Sequence, residues 1–396
     1  MHSKFNFYLY ILTGVALACP NVAVAWKETG CKGLFFYRIM KYIFTVQGEG
    51  RGHFTQSMTL EKLLRSRGHE VVGILVGKSP LRQIPDFFLN GISAPVTTFE
   101  SINFLPSADN RKPDMVKSVL HNTFGLHKYF PSIQLIRDTI RSSGADVVVN
   151  FYEPLTGLAY MSHEMDIPMV CIGHQYLFLH KDFGLPRERY PESYGLDSYT
   201  KLTANRAVRL LALSFREMPG DEKHRIAVVP PLLRPEVMSA SVVQGDYIHG
   251  YMLNKGFADD VMKWHSVHPD VKLRFFWDNR DAGTVLKIDD NLSFHTLDDK
   301  EFLKSMAGCS AFASTAGFES VCEAMWMGKP VLMVPSHIEQ EVNAFDAERS
   351  GIGITCDRFD ISRLMKFAEN YAPDPNFKDW VNSAYDRIAG ELENIG

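Results

Sequence analysis

Two short stretches hold residues whose types and spacing could do chemistry. The first is Gly48-Glu49-Gly50-Arg51-Gly52-His53. It follows the apolar run Tyr42–Val46, which reads as a buried strand. It precedes Phe54–Arg67, whose apolar Met58, Leu60, Leu63 and Leu64 predict a helix. Gly48, Gly50 and Gly52 would permit a tight turn and close approach of backbone to a ligand. His53 would stand at a helix amino terminus above the sheet, where a neutral imidazole can take a proton from a hydroxyl. The competing reading is that it only caps or packs the turn. The spacing is not the G-x-G-x-x-G of dinucleotide sites, and no acidic residue closes the next strand, Val71–Val76. A nicotinamide site is therefore not expected.

The second stretch is longer and more specific. It runs Ser314-Thr315-Ala316-Gly317-Phe318-Glu319-Ser320, then Cys322-Glu323-Ala324, Gly328-Lys329-Pro330, Pro335, Glu339-Gln340 and Asn343. Gly317 would turn the chain from a strand at Ser310–Ala313 into a helix over Phe318–Met327. Unpaired amides at that helix start, from Gly317 through Phe318, Glu319 and Ser320, can hold a diphosphate without a metal. Glu323, one turn further, can accept both hydroxyls of a ribose. Glu339 and Gln340 stand at the mouth of the next helix, where they can bind sugar hydroxyls, with Asn343 just beyond. The plainer alternative is an ordinary strand-turn-helix with a solvated glutamate.

Other residues add weaker candidates. Glu153 follows a strand at Asp146–Asn150 and precedes Pro154, so it points at the same region as His53. It could serve as base, orient His53, or simply cap the helix predicted over Leu155–Glu164. His174, with Gln175, ends the strand Pro168–Gly173 and could line an acceptor site. His295 ends the strand Leu292–His295 and could stand beside a nucleobase. The aspartates Asp278, Asp281, Asp289, Asp290, Asp298 and Asp299 form no D-x-D pair at a strand end, so no metal site is expected. The six cysteines make no C-x-x-C pair, which suits reduced thiols rather than a disulfide frame or zinc.

These candidates need a frame to position them. From Met40 onward, short apolar runs alternate with amphipathic stretches, which argues for βαβ units around parallel sheets. Pro230-Pro231 and Pro235 interrupt the alternation, and a second series begins at Tyr247. The expected organisation is a first Rossmann-like domain over residues 40–231, a linker over 232–244, a second domain over 245–372, and a terminal helix within 373–396. Such an α/β architecture, two parallel-sheet domains facing a cleft, places ligands between the domains.

Residues 1–39 stand apart. The stretch 5–25 is uncharged and ends in Ala23-Val24-Ala25. It reads as a signal-like segment, a membrane anchor, or a preface before a true start at Met40. A cytoplasmic protein is expected, with peripheral membrane contact through residues 5–25 if they persist in the mature chain. The 396 residues are 45% hydrophobic and 22% charged, with a net charge of −4. That composition excludes a disordered chain or a coiled coil, and the missing basic excess argues against a nucleic-acid partner.

The second stretch resembles the donor-binding signature of GT-B glycosyltransferases, most closely family 28, which includes the N-acetylglucosaminyltransferase of peptidoglycan synthesis. The glycine-rich stretch ending at His53 and the segment around Phe151-Tyr152-Glu153-Pro154 resemble that family too. The likeness spans about Met40 to Arg358. It implies a second domain that binds a nucleotide-sugar, usually a UDP-sugar. Gly317 and the following amides would hold the diphosphate, Glu323 the ribose, and Glu339 with Gln340 the sugar. The first domain would hold an acceptor of unknown kind, whether glycan, lipid or small molecule, in cell-envelope polysaccharide or glycolipid synthesis. The nucleotide-sugar is then a substrate, and no cofactor is expected. The signature lacks the Trp-led opening of the plant small-molecule enzymes. The glycine-rich loop is single where the peptidoglycan enzyme has two. A nucleotide-sugar epimerase and a non-catalytic sugar-nucleotide-binding protein share the architecture and stay as alternatives.

Overall fold

The computed structural model describes residues 22–27, 33–79, 83–102, 126–185, 190–253, 255–278 and 283–395. The first described elements are an antiparallel pair, β1 (Val22–Lys27) and β2 (Gly33–Arg38), which forms a two-stranded sheet of its own. Most of the uncharged stretch 5–25 lies outside the described residues, as does Asp281 among the aspartates. No helix among the described residues is long and apolar enough to cross a membrane.

Two largely parallel sheets follow, as the alternation predicts, and each has seven strands. The first comprises β3 (Lys41–Gln47), β4 (Glu70–Lys78), β5 (Val96–Glu100), β6 (Val147–Phe151), β7 (Met169–Gly173), β8 (Arg209–Leu213) and β9 (Ile226–Val229). Its order is β5-β4-β3-β6-β7-β8-β9, and every pairing is parallel. The order reverses between β3 and β6, and ligands of open α/β sheets bind beyond the strand ends at such a point. The second sheet comprises β10 (Tyr247–Met252), β11 (Lys272–Trp277), β12 (Val285–Lys287), β13 (Leu292–Thr296), β14 (Ala311–Ser314), β15 (Val331–Met333) and β16 (Gly353–Thr355). Its order is β12-β13-β11-β10-β14-β15-β16, reversing between β10 and β14. The edge strand β12 pairs antiparallel; its three residues are too few to show a period in the sequence.

The helices that bear on the site or its closure are α1 (Arg51–Ser66), α2 (Pro154–Ser162), α3 (Pro235–Met238), α4 (Phe318–Trp326), α5 (Ile338–Arg349), α6 (Phe377–Asn382) and α7 (Ala384–Glu393). The central strands are buried on both faces, and successive side chains enter different cores. In β11, Phe275 packs into a cluster with Ile248, Phe294 and Phe359, while Phe276 faces the core shared with the first domain. Each fully buried Phe or Leu contributes about 1.5–3 kcal/mol from the apolar surface it removes from water.

Several elements depart from expectation. Helix α1 starts three residues before Phe54, because Gly50 is extended and serves as its N-cap. Gly52 and His53 therefore belong to the first turn of a helix rather than to a loop. The linker is not loose: Leu232, Leu233, Arg234 and Val237 are buried, and α3 lies within it. The carboxyl terminus is two helices, α6 and α7, parted at Ser383, and they return to the first domain. Trp380 Nε1 donates to Ser214 O at 2.9 Å, and Arg67 pairs with Glu393 at 2.7 Å. The amphipathic pattern of 379–393 predicts a helix, but nothing local says which domain that helix covers.

Candidate active site

The site forms where the two switch points meet. After β3 the chain turns through Gly48, whose amide donates to Gly77 O at 2.6 Å. A Cβ on Gly48 would sit 2.6 Å from that same oxygen, so the close approach here is to the protein's own β4 end. The turn delivers His53 as the third residue of α1. Its ring stacks on Tyr152, with centroids 5.8 Å apart. Burial pushes its pKa down to about 4, against a small upward pull from the Gln56 hydrogen bond. At neutral pH the imidazole is therefore uncharged and able to accept a proton.

Tyr152, at the end of β6, holds a φ of 62°, an uncommon conformation for a non-glycine residue. The next residue, Glu153, is fully buried. It caps α2 by accepting from the Leu155 amide at 3.0 Å, and it accepts from Ser101 Oγ at 2.6 Å. Burial raises its carboxyl to about 8, and these two bonds pull it back. No hydrogen bond joins it to His53. Of the three candidate roles of Glu153, the structure shows the cap. The imidazole's hydrogen-bond partner is Gln56, whose Oε1 lies 3.3 Å from His53 Nδ1.

On the second domain, β14 leads through Thr315 and Ala316 to Gly317, the N-cap of α4. Ala316 also holds a φ of 62°. Gly317 provides no side-chain cap, so no side chain at the N-cap position occupies the first amides of α4. This end meets α1 directly. A Cβ on Gly52 would lie 3.2 Å from Glu319 Cγ, and Gln56 Nε2 donates to Glu319 Oε1 at 2.6 Å. Burial raises the Glu319 carboxyl to about 8; the Gln56 bond and Arg234 lower it, while Glu323 raises it further.

Glu323 lies one turn on, as expected, but it has a partner. Arg234, from the linker, donates Nη2 to Glu323 Oε1 at 2.9 Å and Nη1 to Asp299 at 2.7 Å. On α5, Glu339 Oε1 accepts from Gln175 Nε2 of the first domain at 2.9 Å. Gln340 Oε1 is occupied by the amide and hydroxyl of Ser336, at 2.9 and 2.7 Å. Asn343 donates to Ala316 O at 3.3 Å and so braces the positive-φ turn. Its Oδ1 is buried without a partner.

His174 does not line an open surface. It is buried, donates Nδ1–H to Leu213 O at 2.7 Å, and stacks on Phe318 with centroids 4.1 Å apart. It thus packs the first domain against the start of α4. Nearby, Arg216 of the first domain pairs with the fully buried Asp346 of α5 at 2.7 Å. His295 sits three strands across the sheet from β14, stacked on Phe276 and bonded to Ser293 Oγ at 2.9 Å. Sequence reasoning missed Gln56 and Arg234, gave Tyr152 no role of its own, and took Gln175 for an acceptor-side residue rather than the partner of Glu339. For Gln56 a signal existed: it stands three residues after His53, and on a helix beginning at Arg51 that spacing puts the two side chains side by side.

Two facing Rossmann-like sheets with an open helix start between them form the GT-B architecture. The family model described as Glycosyl transferase family 1 matches residues 40–371, and the chain belongs to that family. It is a glycosyltransferase. The finer likeness to family 28 is not part of that match. Among solved structures, the chain is similar to the glycotransferase of kitacinnamycin, with a TM-score of 0.60 and 16% identity over 91% of this chain and 99% of that one. It is also similar to Medicago truncatula UGT71G1 complexed with UDP-glucose, with a TM-score of 0.61 and 14% identity over 90% and 99%. The calicheamicin glycosyltransferase CalG4 follows, with a TM-score of 0.56 and 17% identity over 90% and 98%. At such identities these likenesses show the fold. A shorter likeness, 43% over 47 residues, links the chain to Mogroside IIIx synthase of Siraitia grosvenorii; it spans 12% of this chain and 10% of that protein.

Proposed function

We propose that the protein moves a sugar from a nucleotide-sugar, a UDP-sugar in particular, to a hydroxyl acceptor with inversion and without a metal or cofactor. The observation that carries this reading is the meeting of α1 and α4: a neutral, buried imidazole stands one side chain away from an uncapped helix start. The acceptor hydroxyl gives its proton to His53, and its oxygen attacks the anomeric carbon. The bond from that carbon to the diphosphate breaks on the opposite face. Charge then collects on the diphosphate, where the amides of Gly317–Ser320 and the positive end of α4 stabilise it. Because the amides meet the charge, the step needs no cation. Glu323 holds the ribose through the carboxylate oxygen that Arg234 leaves free, and Glu339 with Gln340 and Asn343 lines the sugar pocket. The choice of UDP draws support from fold neighbours complexed with UDP-glucose and UDP-L-rhamnose. The reaction is assigned to the cytoplasm, where nucleotide-sugars are made, with membrane contact through residues 5–25 if the mature chain keeps them.

The test is a panel of nucleotide-sugars, read first by thermal shift, since a ligand that binds the folded chain raises its melting temperature. Hits are then incubated with EDTA and assayed for free nucleotide and for isomerised sugar. Stabilisation by a UDP-sugar and slow release of UDP in EDTA are expected. Isomerised sugar without release would favour an epimerase. A strict requirement for Mg²⁺ or Mn²⁺ would overturn the metal-free step.

A further inference from the structure

His53 is useful as a base only if the nitrogen facing the acceptor carries no proton, and a neutral imidazole has two tautomers. Its Nδ1 lies 3.3 Å from Gln56 Oε1, and Gln56 Nε2 lies 2.6 Å from Glu319 Oε1. His53 and Gln56 are 8% and 3% exposed, so the contact between them is shielded from water, while the contact to Glu319 is part-buried. Gln56 is thus a buried amide with one neighbour on each domain. We propose that Gln56 is a positioning residue: by donating to Glu319 of the donor helix it turns its carbonyl to His53, holds the proton on Nδ1, and leaves Nε2 free to take the acceptor's proton. This inference rests on the reading of His53 as the base.

The alternative network can be stated and weighed. If the Gln56 amide were reversed, its N–H would point at Nδ1 and drive the imidazole proton to Nε2, which would block the base. Its carbonyl would then face Glu319, and an ionised carboxylate there has only acceptors, so the contact would be repulsive. A protonated Glu319 keeps one carbonyl oxygen for Gln56 and has one O–H to give. With a diphosphate at the start of α4, that O–H has a stronger acceptor than an amide carbonyl. The charged groups facing Glu319 are Glu323 on its own helix and Arg234 from the linker, and neither contacts the Gln56 amide. A bound donor therefore favours the arrangement that arms the base. The link runs across 263 residues of sequence and exists only while the two domains are apposed.

The experiment reads the tautomer directly. Full-length protein labelled with ¹⁵N-histidine is saturated with UDP, and long-range ¹H–¹⁵N correlations are recorded, with His53→Ala used to assign the His53 signals. The expected result is a proton on Nδ1 in the wild type. In Gln56→Leu the Nδ1–H pattern should be lost, with kcat down roughly tenfold to hundredfold and the donor KM within about twofold. Should Gln56→Leu fail to fold, Glu319→Ala removes the same contact from the other domain and should also lose the Nδ1–H pattern. A wild-type proton on Nε2, or an unchanged spectrum in the folded variant, would overturn the proposal. The base reading fails separately, by normal turnover in His53→Ala, a result that leaves the tautomer measurement standing.

Discussion

The turns after β6 and β14 hold the same place in their two sheets. Each strand pairs with the first strand of its sheet, β3 or β10, at the point where the order reverses. Each turn carries a non-glycine residue at a φ of 62°, Tyr152 in one and Ala316 in the other. They differ at the next residue: Glu153 caps α2 with its carboxylate, while Gly317 leaves α4 without a side-chain cap. The Glu153 side chain occupies an amide at the start of its helix even though burial keeps its carboxyl protonated. The first turn is therefore closed to an anion, and its mouth offers a neutral imidazole instead. The second stays open. A glycine N-cap costs a helix only a few tenths of a kcal/mol relative to the best caps. An anion site can thus be made with little loss of stability by withholding one side chain.

The strongest way to break this comparison is to remove the imidazole. His53→Ala should lower kcat by about 10²–10⁴-fold, the usual contribution of a general base, and leave UDP affinity by calorimetry unchanged. Normal turnover would move the proton transfer elsewhere. Next in size is to give the second turn the cap of the first. Gly317 has φ −68° and ψ 132°, a conformation aspartate adopts freely, and a Cβ there meets nothing nearer than Ser320 Oγ at 3.6 Å. Gly317→Asp should fold normally. A carboxylate about 4 Å from a diphosphate charge costs about 4 kcal/mol at an effective dielectric of about 20, or roughly 10³-fold in donor affinity. Full-strength UDP binding by this variant would show that α4 does not hold the diphosphate.

Smaller effects sharpen the roles of the carboxylates. Glu323→Ala should weaken UDP by about 10- to 150-fold through the loss of charge-assisted hydrogen bonds. Arg234 retains Asp299 in that variant, so circular dichroism should still report a folded chain. Glu319 titrates at about 8, above the usual carboxylate range, so it is protonated below that pH and charged above it. Donor affinity should fall as pH rises through that value, by up to about tenfold per unit, and Glu319→Gln should flatten that slope. A flat profile in the wild type would remove Glu319 from the diphosphate. The smallest effect belongs to Glu153. Its folded value of about 8 lies above the ordinary 4.5, so the folded chain holds a proton there that the unfolded chain releases. The contribution of Glu153 to stability then falls as pH rises from 4.5 to about 8. Glu153→Gln should keep near-normal turnover and remove that part of the pH dependence of chemical denaturation. Loss of turnover with normal stability would make Glu153 the base after all.

The alternation of apolar runs and the strand-turn-helix around Gly317 are local features, written in hydrophobic period and turn chemistry, and both are legible in the sequence. So is Glu323 one turn into its helix, since that spacing depends only on helix geometry. The start of α1 is harder to read, because an extended Gly50 ends the turn before the apolar pattern begins. Placing that start at Phe54 hides the pairing of His53 with Gln56. Other features have no local signal at all. Arg234 reaches Glu323 across 89 residues, Gln56 reaches Glu319 across 263, and Arg67 meets Glu393 across 326. The sequence by itself determined two sheets, their helices and the two turns proposed to carry the chemistry, because those follow from interactions within a few residues. Only the tertiary structure decided that Glu153 caps α2 through one carboxyl oxygen, that His174 packs on Phe318, and that a glutamine stands between the imidazole and α4. Those outcomes depend on which faces the two domains turn toward each other, and that is set by the burial of the whole interface rather than by any one segment.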